Sequence, residues 1–149
     1  MNLVAELKPG LTGLEQLKAM VAMGGRPPIG DTLDFTVVDA GDGWAAFEGV
    51  PGLHAYNPIG TIHGGYAATL LDSACGCATH SKLKPGQSYT TLELKVAYHK
   101  ALTKDTGLVR AEGRVLTIGR RAAFAEAKLT DAEGRLYASA TSTLLVIDQ

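Results

Sequence analysis

Asp72 is the only formally charged residue between Gly49 and Ser81. A carboxylate in so apolar a stretch must be paired, hydrogen-bonded or used, as a nucleophile or as a general base. Just upstream, Asn57-Pro58-Ile59-Gly60-Thr61-Ile62-His63-Gly64-Gly65 brings a side-chain amide, an imidazole and two glycine N–H groups to the start of a helical segment. A helix N-terminus is electropositive and offers unpaired donors, which suits a carbonyl oxygen acquiring negative charge. Glycine at that point lets a ligand approach the backbone closely. Each piece alone has a plainer explanation: an aspartate can satisfy neighbouring backbone, and a histidine can cap a helix or fill a core.

His63 and Asp72 are nine residues apart, which on one helix is about 13 Å of rise. One chain does not readily bring both to a single atom. If they share a site, that site forms between two copies, His63 and its glycines from one and Asp72 from the other, across a two-fold axis.

The elements that must position these groups are marked by periodicity. Gly64 to Thr79, GGYAATLLDSACGCAT, carries small or apolar residues all round a helical wheel, so this helix is expected to be buried on most sides. Cys75 and Cys77, two apart on that helix, point away from each other and read as free thiols. A shorter amphipathic helix is expected over about 11–24, ended by Gly24-Gly25-Arg26-Pro27-Pro28. Thr32–Val38 and Trp44–Val50 read as two strands around a Gly41-Asp42-Gly43 hairpin, and Pro51–Gly60 as a loop. Tyr89–Ala101, Gly107–Ile118, Arg121–Thr130 and Arg135–Ile147 read as four strands of an antiparallel meander. In the first of them, Leu92, Leu94, Val96 and Tyr98 are expected on the buried face, and Thr91, Glu93, Lys95 and His99 on the polar one.

At 149 residues, 46% hydrophobic, 19% charged and net −1, the chain has an ordinary globular balance and no polyelectrolyte character that would favour nucleic acid. One domain over 1–149 is expected, with the core at about 31–147. Met1–Gly10 carries Glu6 and Lys8, which suits neither an export signal nor a membrane span, so the expected setting is cytoplasmic with no membrane partner. His54, His80 and His99 have no mutual spacing that suggests a metal.

Asn57, five residues, His63-Gly64-Gly65 and then Asp72 closing Ala67-Ala68-Thr69-Leu70-Leu71-Asp72 resembles the PaaI-like thioesterases of the hotdog fold, as does the downstream Gly119-Arg120-Arg121. The resemblance implies an α+β fold, an antiparallel sheet wrapped around a long central helix, to which the short N-terminal helix is an addition. It implies hydrolysis of an aryl- or medium-chain acyl-CoA with no cofactor beyond the coenzyme A of the substrate. Gly64 N–H would polarise the thioester carbonyl, and His63 and Asn57 would shape that end of the site or bind the water. Asp72 of the partner chain would be nucleophile or general base, supported by Thr91 or, failing that, Thr90. Gly65 would line the substrate path, and Lys100, Arg120 and Arg121 would meet the coenzyme A phosphates. The minimal active unit would be a homodimer, itself assembled into a homotetramer. A hotdog hydratase or dehydratase, and a noncatalytic acyl-CoA binder, are the alternatives that the same fold allows.

Overall fold

The computed structural model describes residues 2–148. Met1 and Gln149, the two ends of the expected 1–149 unit, lie outside the described residues. Helix α1 (Gly13–Ala22) begins in a capping box: the Thr12 hydroxyl accepts from Glu15 N–H, and the Glu15 carboxylate accepts from Thr12 N–H at 2.7 Å. Gly24, at φ +62°, lets the chain leave the helix.

A second helix, α2 (Pro28–Leu33), stands where the alternation of Leu33, Phe35 and Val37 reads as strand from Thr32 onward. Pro28 supplies a first-turn φ at no cost in hydrogen bonds, Asp31 sits near the positive helix end, and Asp34 at φ 56° stops the helix. Strand β1 (Phe35–Gly41) therefore starts at Phe35. It pairs with β2 (Trp44–Gly49) through a two-residue Asp42-Gly43 turn with Gly43 at φ +79°.

The long helix α3 (Gly64–His80) is followed by β3 (Gln87–Tyr98), β4 (Val109–Ile118), β5 (Ala122–Asp131) and β6 (Leu136–Asp148). The strands form one antiparallel sheet in the order β1-β2-β4-β5-β6-β3. The expected four-strand meander is thus confined to β4, β5 and β6. The segment between β3 and β4 is too long for a tight hairpin, so β4 crosses to pair with β2, and β3 closes the other edge against β6.

Alternate residues of the sheet face α3, and many are alanine: Ala111, Ala123, Ala125, Ala127, Ala138 and Ala140 are all buried. The helix answers with Ala67, Ala74 and Ala78. At Gly113 a methyl group would collide with the Ala74 backbone, so the curved sheet lies close against the helix. α3 is buried toward the sheet but keeps Ala68, Thr69, Asp72 and Ser73 half-exposed, a narrower burial than the wheel suggests. This sheet around a central helix, with α1 added outside it, is the hotdog fold. Among the described residues no helix is long and apolar enough to cross a membrane.

Candidate active site

The start of α3 is held by a closely bonded loop. Asn57 closes it: its Oδ1 accepts from the N–H groups of Ile59 and Thr61, both at 3.1 Å, and its Nδ2 donates to Thr61 Oγ1 at 2.9 Å. The next residues are tied outward by Ile62 N–H to the Leu102 carbonyl and His63 N–H to the Ala55 carbonyl. His63 is the N-cap, and its Nδ1 accepts from Gly65 N–H at 2.8 Å. That bond requires an unprotonated Nδ1, which leaves Nε2–H directed outward. Gly64 N–H has no acceptor among the described residues, so it is the free donor at the positive end of a seventeen-residue helix.

Tyr98 shares this corner. Its hydroxyl donates to the Gly64 carbonyl at 2.8 Å, and a Cβ on Gly64 would press to 3.0 Å from its ring. The sequence pattern puts Tyr98 on the buried face; instead it is 56% exposed. No local signal links it to Gly64, because the contact spans 34 residues. A cavity of about 340 Å³ opens here between His63, Gly64, Tyr98, Lys100 and Tyr137. Lys100 Nζ stands 5.4 Å over the Tyr137 ring. The Tyr137 hydroxyl donates to buried Asp131, whose pKa is lowered, despite burial, by hydrogen bonds from Arg135 and Glu133.

Asp72 lies half-buried, eight residues beyond Gly64, or about 12 Å along the axis. Thr91 Oγ1 donates to Asp72 Oδ1 at 3.0 Å. This reverses the expected facing of Thr91. A bulge between Thr91 and Glu93 inserts Leu92 into β3, which breaks the alternation: Tyr89, Thr91, Leu94 and Val96 all turn toward α3, and Leu92 is 59% exposed. Thr90 faces solvent. Cys75 and Cys77 flank this half. Burial first, and the Asp72 charge in addition, push both thiols up to about 12. They are protonated at neutral pH and are poor nucleophiles.

The three cations divide between the two halves. Lys100 stands by Gly64. Arg120 and Arg121 occupy the exposed β4–β5 turn, where the Arg121 carbonyl accepts from Val146 N–H. Ala123, Leu144 and Thr91 lie side by side across β5, β6 and β3, so the arginines sit at the Asp72 end. Thr91 and Tyr98 are separated along β3 by about 20 Å. Within one chain, then, Asn57, His63, Gly64, Gly65 and Lys100 form one group and Asp72, Thr91, Arg120 and Arg121 another.

The family model of the thioesterase superfamily matches residues 59–138, which spans the helix start, Asp72, Thr91 and both arginines. The chain belongs to the thioesterase superfamily and is a thioester hydrolase. It is 27% identical over 116 residues to the 1,4-dihydroxy-2-naphthoyl-CoA hydrolase of Listeria monocytogenes, covering 78% of this chain and 93% of that protein. Among solved structures, the conserved protein PA5202 of Pseudomonas aeruginosa is 30% identical with a TM-score of 0.76, over 82% of this chain and 95% of that one. A Streptococcus pneumoniae thioesterase solved with coenzyme A is 28% identical with a TM-score of 0.70, over 77% of this chain and 90% of that one.

Proposed function

We propose that the chain is an acyl-CoA thioesterase of the PaaI-like kind that hydrolyses an aryl- or medium-chain acyl-CoA to the free acid and coenzyme A, at sites shared between two subunits. The observation that carries this reading is the unpaired Gly64 N–H at the start of the same helix that presents the Thr91-held Asp72. Gly64 N–H of one subunit receives the thioester carbonyl oxygen, and its hydrogen bond strengthens as that oxygen becomes an oxyanion. Asp72 of the partner subunit attacks the carbonyl carbon, or takes a proton from the water that does. The C–S bond then breaks and coenzyme A leaves as its thiolate, which takes up the proton removed from water. Where Asp72 itself attacked, water hydrolyses the resulting acyl–Asp72 anhydride, freeing the acid and restoring the carboxylate. Asn57 and His63 position the backbone rather than react, because their acceptor atoms are engaged in the loop and the cap. The chemistry uses water and the chain's own groups alone.

β3 supports the dimer, since it is an edge strand with one side unpaired and with Leu92 and Tyr98 exposed. Antiparallel pairing of two β3 strands about Leu94 and Lys95 sets Thr91 opposite Tyr98 of the partner subunit. The two groups of residues then meet twice per dimer, and Lys100 of one subunit and Arg120 and Arg121 of the other flank the coenzyme A phosphates. Two such dimers form the tetramer. Coenzyme A bound to the Streptococcus pneumoniae relative favours this substrate class. The unpaired thiols of Cys75 and Cys77 fit a reducing compartment, the cytoplasm.

Thiol release from a panel of acyl-CoA esters tests the proposal. Asp72→Asn is expected to lose about 100- to 10,000-fold in kcat, and undiminished turnover would remove Asp72 from the mechanism. A single turnover in oxygen-18 water then separates the two chemistries. Label in the Asp72 carboxylate identifies it as the nucleophile. Where label is only in the product acid, hydroxylamine decides, since it traps an acyl–Asp72 anhydride if Asp72 is the nucleophile and traps none if it is the base.

A further inference from the structure

A second cavity, of about 410 Å³, lies between α1 and the helix–sheet layer, beside the C-terminal half of α3. Leu17 and Met20 of α1, Val37 of β1, Phe47 of β2, Cys77 of α3 and Tyr89 of β3 line it, together with residues 2–4 and the turn that follows α1. Its volume is that of a small-ligand pocket. It approaches the Asp72–Thr91 pair through Cys77 and Tyr89. Tyr89 is two residues before Thr91 on the same face of β3, and Gly76 is one helical turn past Asp72. The Tyr89 ring sits over Gly76 so closely that a Cβ there would come 2.8 Å from the hydroxyl oxygen. The Asp72 charge, after burial, also contributes to the upward shift of both Cys77 and Tyr89.

The lining is apolar in function as well as in composition. Among the described residues no Asp, Glu, Lys or Arg contributes to it. His80 is engaged with Gln16 at 2.7 Å, and burial lowers its pKa, so it stands neutral. Cys77 and Tyr89 are held protonated. A charged acyl group would find no counter-charge among the described residues of the lining and would lose its hydration.

We infer that this cavity receives the acyl group of the substrate, that the group is an uncharged alkyl chain of medium length, and that α1 sets the length. The inference rests on the proposed role of Asp72. It gives α1 a function of its own, because α1 lies outside the matched residues 59–138. Each methylene entering such a pocket is expected to raise kcat/KM about fourfold until the chain meets α1.

The test is thiol release from straight-chain acyl-CoA esters, acetyl to tetradecanoyl, with succinyl-CoA and benzoyl-CoA alongside, for wild type, Met20→Ala and Cys77→Phe. Enlarging the far wall with Met20→Ala should raise the ratio of dodecanoyl to hexanoyl kcat/KM about tenfold, and filling the cavity with Cys77→Phe should lower it about tenfold. Opposite shifts in one ratio do not arise from a general loss of folding. An unmoved ratio in both variants, with Asp72→Asn inactive, overturns the pocket and leaves the thioesterase reading standing. Succinyl-CoA or benzoyl-CoA as the best substrate overturns the alkyl assignment. No hydrolysis of any ester by wild type overturns both.

Discussion

The two halves of the candidate site are built on one helix by opposite means. At the helix start the proposed oxyanion donor is a backbone N–H, and the side chains around it are spent on holding the backbone: Asn57 makes three hydrogen bonds within its own loop, and His63 caps the helix. Eight residues later the proposed reactive group is a side chain, half-exposed, steadied by the Thr91 hydroxyl. A donor aimed at a developing oxyanion works by being fixed in advance. A carboxylate that attacks or takes up a proton needs freedom and access. On the proposed mechanism the first half should tolerate changes of side chain that keep the loop closed, and the second should depend on the identity of one residue.

The sharpest way to break this comparison is to disable each half in a separate chain. Asp72→Asn removes the carboxylate. Gly64→Pro removes the N–H from the first helical position, where proline is sterically accepted, and the preceding His63, at φ −58° and ψ 136°, already has the extended conformation proline requires. The ring displaces half-exposed Tyr98 rather than core. Gly64→Pro alone should cost about 100- to 1,000-fold in kcat. Mixing the two variants through unfolding and refolding should restore roughly a quarter of wild-type activity, since half of the dimers are mixed and each holds one intact site. No recovery on mixing would place both halves in one chain.

A smaller effect is expected at the strand. Thr91→Val keeps the shape but removes a hydrogen bond to a charged group, which should lower kcat about tenfold. The same substitution at Thr90, which faces solvent, should leave kcat as it was. Equal losses at both positions would mean that the β3 bulge, and not the hydroxyl, is what Asp72 needs.

The difference between the halves also governs how far each is legible in the sequence. Asn57, His63, Gly64 and Gly65 fall within nine consecutive residues, and cap, loop and helix start are local events with local signatures. Thr91 reaches Asp72 only because Leu92 bulges out of β3, and strict alternation points Thr91 away; that bulge is a property of pairing with β6, some fifty residues on. Strand order is non-local for the same reason, so the lengths of β3 to β6 are readable while the crossing of β4 to β2 is not. α2 escapes periodicity because six residues are less than two turns. Tyr98 and the arginine turn are placed by the sheet, and their division between the two ends of the site follows from register alone.

The smallest expected effect decides whether the helix-start half is backbone in its entirety. His63 can be there for its cap or for its outward Nε2–H, and the two roles separate by substitution. His63→Ala abolishes the acceptor for Gly65 N–H and should cost about 1 kcal/mol of stability in a denaturant titration. His63→Asn replaces the imidazole with one of the strongest N-cap side chains, whose Oδ1 can take the same N–H. If the imidazole serves only to fix Gly64, His63→Asn keeps both the stability and the turnover that His63→Ala loses. If His63→Asn folds as wild type yet falls as far as Asp72→Asn, the imidazole acts on water or substrate, and the helix start contributes a reactive side chain like the half it faces.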